Sequence, residues 1–300
     1  MNHCHNHRPG NYNRVFAISV VLNLGFVIVE ASYGIMAESM ALLADACHNL
    51  SDVLSLMLAW VASALASRAA TEKRTYGFRK ATIMASLASA ILLLVAIGGI
   101  IVEAIDRFFY PKPVEGMTII AVAVAGVVIN TITALFFVSG RKYDLNIKGA
   151  FLHMAADAGV SFGVVVAGII IVVTGWLLTD PLISLLIVAV ILISTWSLLR
   201  DSMNLAMDSV PESIDMDGIK RYLACLANVC QIHDLHVWPL STTEVALSVH
   251  LVMVSDSAVP NSFLIEIQQH LHDCFSIEHA TIQVEKQDDN LCILNREKCI

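Results

Sequence analysis

Two stretches of this sequence place a histidine four residues ahead of an aspartate: ADACHNLSD carries His48 and Asp52, and HMAAD carries His153 and Asp157. On a helix, residues i and i+4 lie on one face a turn apart, so each pair can offer an imidazole nitrogen and a carboxylate oxygen to one point. Two such faces opposed make an N2O2 set, which suits a tetrahedral divalent metal such as zinc. One pair alone would equally fit hydrogen bonding between helices; its repetition, in a chain with few other mid-helix charges, favours a metal. Asp45 shares the face of His48 and reads either as a carboxylate that orients it or as a structural hydrogen bond near a helix end.

A second cluster lies near the C-terminus. HDLHVW supplies His233 and His236, the next apolar stretch supplies His250, and HATIQVE ends on Glu285. Histidines on adjacent strands can converge on one face, but period two places His233 and His236 on opposite faces of a regular strand. At most one of them is expected as a ligand, and His233 with His250 is the favoured pair. The opening HCHNH packs His3, Cys4, His5 and His7 together, a tract that can chelate borderline metals with little preorganisation; the tail thiols Cys292 and Cys299 are candidate partners for it.

The elements that must position these residues are membrane helices. The chain is 57% hydrophobic and 15% charged, well below the ~25% charge of an ordinary soluble domain. Six apolar segments are long enough to span a bilayer: 14–34, 39–66, 80–105, 117–138, 147–174 and 177–199. Short joints with breakers, PKP at Pro111–Pro113, SGRKYD at Ser139–Asp144 and a capping Asp180 before Pro181, predict antiparallel neighbours in an all-α six-helix bundle. Eleven basic residues of the loops and ends (Arg8, Arg14, Arg68, Lys73, Arg74, Arg79, Lys80, Arg141, Lys142, Lys148 and Arg200) fall on one side, against Arg107 and Lys112 on the other. That asymmetry predicts cytoplasmic termini and an even number of spans. Glu30 and Glu103 are expected to be solvated or paired near helix ends, and Gly159 with Gly163 to allow close helix approach.

After Arg200 the pattern is that of a soluble α+β domain in αββαβ order, ferredoxin-like or metallochaperone-like, with helices over one face of an antiparallel sheet. The domains expected are a His/Cys-rich segment 1–13, a membrane domain 14–200, a cytoplasmic metal-binding and dimerisation domain 201–285, and a tail 286–300. The net charge of −8 sits mostly in the last third and excludes a nucleic-acid groove. No small-residue cleavage site follows the short polar start, so a removable signal peptide is not expected. Seven cysteines, an odd number without framework spacing, suit a reducing cytoplasmic face.

The segments SMALLADACHNLSD, YGFRKATIMASL, HMAADAGVSFGVVVAG, TDPLISLLI and HDLHVW resemble the cation diffusion facilitators, in particular the zinc-exporting branch of bacterial cobalt-zinc-cadmium resistance proteins and animal vesicular zinc transporters. The resemblance covers nearly the whole chain. It implies a homodimer that exchanges cytoplasmic metal for protons by alternating access. His48, Asp52, His153 and Asp157 match the transport site, with histidine in the second-span pair as in members that prefer zinc and cadmium to manganese. His233, His250 and Glu285 match cytoplasmic metal positions, with zinc transported and also structural there; HCH at His3–His5 resembles a motif that completes a cytoplasmic site in some animal members. Three features depart from the family: no histidine in the loop 67–80, tail cysteines too far apart for a CxxC pair, and no long histidine-rich insert between the fourth and fifth spans. The compact loops suit a bacterial inner membrane. A metal-gated channel and a metal-sensing membrane protein would use similar ligands, whereas an enzyme is not expected, since a four-ligand set is closed and HExxH is absent.

Overall fold

A computed structural model describes residues 12–138, 145–254 and 261–286. The N-terminal tract with His3, Cys4 and His5, and the tail with Cys292 and Cys299, lie outside the described residues. Six long helices come first: α1 (Tyr12–Met36), α2 (Met40–Ala66), α3 (Ala81–Phe109), α4 (Gly116–Phe137), α5 (Leu145–Thr174) and α6 (Thr179–Ala206). By length and apolarity Ala81–Phe109, Gly116–Phe136, Phe151–Thr174 and Thr179–Ala206 suffice to cross a membrane, and α1 adds the shorter apolar stretch Val20–Met36. The C-terminal part follows as α7 (Met216–Ala224), β1 (Val229–Pro239), β2 (Val245–Met253), α8 (Asn261–Phe275) and β3 (His279–Lys286).

The described residues pack as two compact units, one within 1–57 and 88–197, the other within 58–87 and 198–300. In the first, Phe26 of α1, Leu42 of α2, Ile97 of α3, Ile119 of α4, Val164 of α5 and Ile187 of α6 share one apolar core. Its outward apolar side chains, such as Val95, Val173 and Ile193, remain exposed, as lipid-facing positions should. Glycines set the closest contacts. A Cβ at Gly168 would sit 2.7 Å from Ile120 Cγ1, one at Gly116 2.7 Å from Val172 Cγ2, and one at Gly126 2.8 Å from Phe26 Cζ. Gly159 and Gly163, expected to make this approach, have nothing within 4 Å of a built Cβ. The small-residue step therefore sits elsewhere on α5 than the spacing suggested, because helix rotation is decided by the whole apolar face.

In the second unit β1 pairs antiparallel with β2, and β3 runs parallel to β2, in the order β1-β2-β3. The sheet is thus mixed, where an antiparallel one was expected. The reason is topological: α8 crosses over between β2 and β3 and returns the chain in the same direction. Ile219 and Leu223 of α7 and Ile267 and Leu271 of α8 bury the odd-numbered face of β2, Val245 through Leu251. The even-numbered face, which carries His250, points away from those helices. The segment joining α2 to α3 is held to this unit by the Arg79–Glu244 ion pair (3.1 Å), by the Lys80–Asp208 pair (2.6 Å) and by a hydrogen bond from the Thr242 N–H to Thr82 Oγ1 (3.1 Å).

These contacts distinguish the glycines by position. Gly168→Ala is expected to lower the melting temperature of the detergent-purified protein, overpacking in a tight core costing about 1–3 kcal/mol, while Gly159→Ala leaves intrachain packing intact; equal melting temperatures for the two variants would contradict the packing described.

Candidate metal centres

In the first unit, α2 and α5 bring the two His-x-x-x-Asp pairs face to face. His48 Nε2 lies 3.2 Å from Asp157 Oδ1 and 3.9 Å from Asp52 Oδ2; His153 Nε2 lies 3.2 Å from Asp52 Oδ2 and 3.7 Å from Asp157 Oδ2. Nitrogen and oxygen alternate around a closed ring, so each imidazole faces two carboxylates. A tetrahedral zinc with ligands at about 2.0–2.1 Å has edges of about 3.3 Å, and the four contacts bracket that length. Ligand atoms of His48, Asp52 and Asp157 lie within 4.8 Å of one another. Asp157 is buried, whereas His153 is 42% exposed, which gives the site an inner wall and an open side. His153 reaches both aspartates but stands outside this group of three, its ring centroid 6.2 Å from that of His48.

A buried polar layer supports the ring. The Ser161 hydroxyl, one turn beyond Asp157 on α5, donates to Asp45 Oδ2 at 2.7 Å, and Asn49 Nδ2 donates to Glu30 Oε2 at 3.2 Å and to Asp45 Oδ1 at 3.5 Å. Glu30, Asp45 and Ser161 are fully buried. Asp45 thus ties α2 to α5 through Ser161, the structural hydrogen bond that the sequence also allowed. Glu30 was expected to be solvated or paired near a helix end; it is instead in the interior, with Oε1 lacking a hydrogen-bond partner among the described residues. Its neighbour Asn49, next to His48 in sequence, is what draws α1 into the site, and its amide gave no signal in the sequence pattern. Glu103 does pair, with Arg107 (3.0 Å) and Lys112 (3.0 Å).

The start of α2 is held from another helix. Asp180, in the first turn of α6, accepts from Ser39 Oγ (2.5 Å), Met40 N (2.7 Å) and Ala41 N (3.2 Å). These N–H groups have no intrahelical acceptor, and a carboxylate at a helix N-terminus also meets the positive end of the dipole. The sequence suggested Asp180 as a cap for its own helix; α6 instead begins at Thr179, and Asp180 caps α2. It fixes the axial position of the helix that carries His48 and Asp52.

In the second unit, His233 and Glu285 meet at 3.1 Å (Nε2 to Oε2), and His250 Nδ1 lies 2.9 Å from Glu285 Oε1. The three form a second group able to hold a metal. His233 sits opposite His250 in the β1–β2 register, and Glu285 of β3 lies on the same face, beside Val252. Gln283, two residues before, donates to Glu285 Oε1 at 2.9 Å. The period-two expectation for His233 and His236 does not survive. The register shifts between them, His233 pairing with His250 and His236 with Ser248, so a bulge adds one residue and returns both histidines to one face. Even so, His236 turns to Asp234 (3.0 Å), not to Glu285.

Comparison with known proteins agrees with this architecture. Residues 16–205 match the cation efflux transmembrane domain and residues 211–287 the cation efflux protein cytoplasmic domain. The chain is 38% identical to the metal cation efflux system protein CzcD of Cupriavidus metallidurans over 285 residues, 94% of this chain and 89% of that protein. It is 36% identical to the cadmium, cobalt and zinc/H(+)-K(+) antiporter of Bacillus subtilis, covering 95% and 93%, and 36% identical to the zinc transporter ZitB of Escherichia coli, covering 95% and 91%. A solved metal-bound C-terminal domain of the Cupriavidus CzcD transporter is 36% identical over 24% of this chain and 99% of that one, with a TM-score of 0.22. This chain is a multi-pass membrane transporter of divalent metal cations. It belongs to the cation efflux family, the cation diffusion facilitators.

Removing the acceptor at the head of α2 tests the positioning role of Asp180. Asp180→Ala leaves three donors without an acceptor, each costing about 1–3 kcal/mol when buried, and is expected to lower both thermal stability and metal affinity. Asp180→Asn, which keeps one acceptor oxygen, should fall between Asp180→Ala and wild type in thermal shift and zinc titration; Asp180→Ala behaving as wild type would contradict the role.

Proposed function

We propose that this protein exports zinc from the cytoplasm in exchange for protons, working as a homodimer of six-span subunits with both termini cytoplasmic, in a bacterial inner membrane. The observation that carries the reading is the alternating ring of His48, Asp157, His153 and Asp52. Two imidazoles and two carboxylates supply neutral borderline nitrogen together with negative oxygen, a set that accepts zinc and cadmium, and accepts ions that demand six oxygen ligands poorly. Relatives are named for zinc and for cadmium, cobalt and zinc, and one for antiport with H(+)-K(+). The cytoplasmic-domain match supports association through the C-terminal unit.

Proton exchange follows from the donors. A metal needs neutral imidazole and ionised carboxylate, so protons and cargo compete for His48 and His153. Histidine ordinarily titrates near pH 6.5, inside the physiological range. When the site opens to the more acidic side, protonation of the imidazoles releases the cargo, and the protonated carrier returns. The inward proton gradient thereby sets the direction of export.

His233, His250 and Glu285 fit a resident metal ion, zinc in this reading. His233 Nδ1 is buried without a hydrogen-bond partner among the described residues, and Glu285 bridges two imidazoles that present nitrogens toward it. The metal would cross-link strands β1, β2 and β3 and so stiffen the unit that pairs the subunits.

In proteoliposomes with an imposed pH gradient, His153→Ala or Asp157→Ala is expected to abolish zinc flux while leaving a folded dimer; a properly inserted double variant with normal flux would remove the assignment. His48→Asp converts N2O2 to NO3 and should shift preference from zinc toward manganese, flattening the dependence of zinc flux on pH between roughly 6 and 7.5. An unchanged metal ranking with an unchanged pH profile would exclude His48 from both cargo and proton binding.

A further inference from the structure

The bulge in β1 does more than shift a register. Asp234 occupies it with φ of 50°, a left-handed backbone that non-glycine residues adopt sparingly, although aspartate tolerates it better than most. That conformation turns the Asp234 carboxylate onto the metal-facing side of the sheet. Its Oδ2 lies 3.6 Å from His250 Nε2, and its Oδ1 is held by His236 Nε2 at 3.0 Å. The two nitrogens of His250 therefore face different carboxylates: Nδ1 meets Glu285 at 2.9 Å within the cluster with His233, and Nε2 meets Asp234 behind it.

We infer that Asp234 is the positioning residue of the cytoplasmic metal site: its carboxylate faces the Nε2 edge of His250 at 3.6 Å, an ion-pair distance, and on metal binding takes the Nε2–H so that Nδ1 presents its lone pair to the ion. The inference rests on the reading of His233, His250 and Glu285 as metal ligands. A neutral imidazole carries one proton, and whichever nitrogen donates a hydrogen bond leaves the other free to bind metal. A carboxylate behind the ring selects that tautomer, fixes the ring plane and raises the basicity of the ligating nitrogen. His236, 43% exposed, holds the far oxygen of Asp234 and so keeps the carboxylate aimed at His250. A straight strand could not do this. Without the bulge Asp234 and His236, two apart, would together face away from His233 and His250, and the carboxylate would not reach the metal-facing side.

The test uses the full-length protein carrying Asp157→Ala, so that zinc reports the cytoplasmic site, with His233→Ala added as a control. Wild-type Asp234 is expected to give one chelator-competitive zinc site that His233→Ala removes, and selectively 15N-labelled histidine should show His250 metallated at Nδ1 and protonated at Nε2. Asp234→Asn and Asp234→Gly should weaken zinc binding by about 10–100-fold, as expected for loss of a carboxylate behind a ligating histidine. Asp234→Gly should at the same time melt no lower than its parent without metal, since glycine relieves the positive φ. Affinity unchanged in both Asp234 variants, or His250 metallated at Nε2, overturns the inference while leaving the metal site standing. Failure of the parent to bind zinc at all overturns the site reading and the inference with it.

Discussion

Two aspartates on facing helices, brought together inside a membrane-spanning bundle, need positive charge between them. Asp52 and Asp157 are in that position, and each shares both imidazoles of the ring. Ionised carboxylates held partly away from water are costly unless paired, and in the proposed reading protons carried on His48 and His153 compete with a divalent cation to pair them. In that reading the competition between protons and cargo is a property of the ligand set itself.

Other features of the first unit maintain that geometry. Asp180 fixes where α2 begins, and the near-contacts at Gly116, Gly126 and Gly168 fix how closely α4 lies against α5 and α1. The buried chain of Glu30, Asn49, Asp45 and Ser161 ties α1, α2 and α5 beneath the ligands. None of these residues needs to touch the cargo for its loss to matter if the ring is the cargo site, because a four-ligand set tolerates little displacement. The second unit has its own cluster of imidazoles and carboxylates on a sheet face turned away from its helices, and an ion bound there is proposed to strengthen the fold instead of travelling.

The nearness of the two histidine–aspartate pairs was legible in the sequence because histidine and aspartate four apart on an apolar segment have few uses, and two copies fewer still. The six long helices and the αββαβ order could also be read from hydropathy and periodicity. What stayed hidden were relations between elements. The parallel pairing of β3 depends on a crossover; the side to which His236 points depends on a one-residue bulge; and the helix capped by Asp180 depends on which helices pack together. Glu30 is paired, as one of the two expectations had it, but its full burial depends on packing between helices and could not be read from its own surroundings in sequence.

The central claim is that a single divalent ion is held in the membrane by two imidazoles and two carboxylates. X-ray absorption at the zinc edge tests it directly on the full-length protein carrying His250→Ala, which leaves the membrane site as the loaded one. The account predicts four nitrogen and oxygen neighbours at about 2.0–2.1 Å, with outer-shell scattering from two imidazoles and no sulfur. A spectrum with six oxygen neighbours and no imidazole signature, or with a thiolate neighbour, would contradict it.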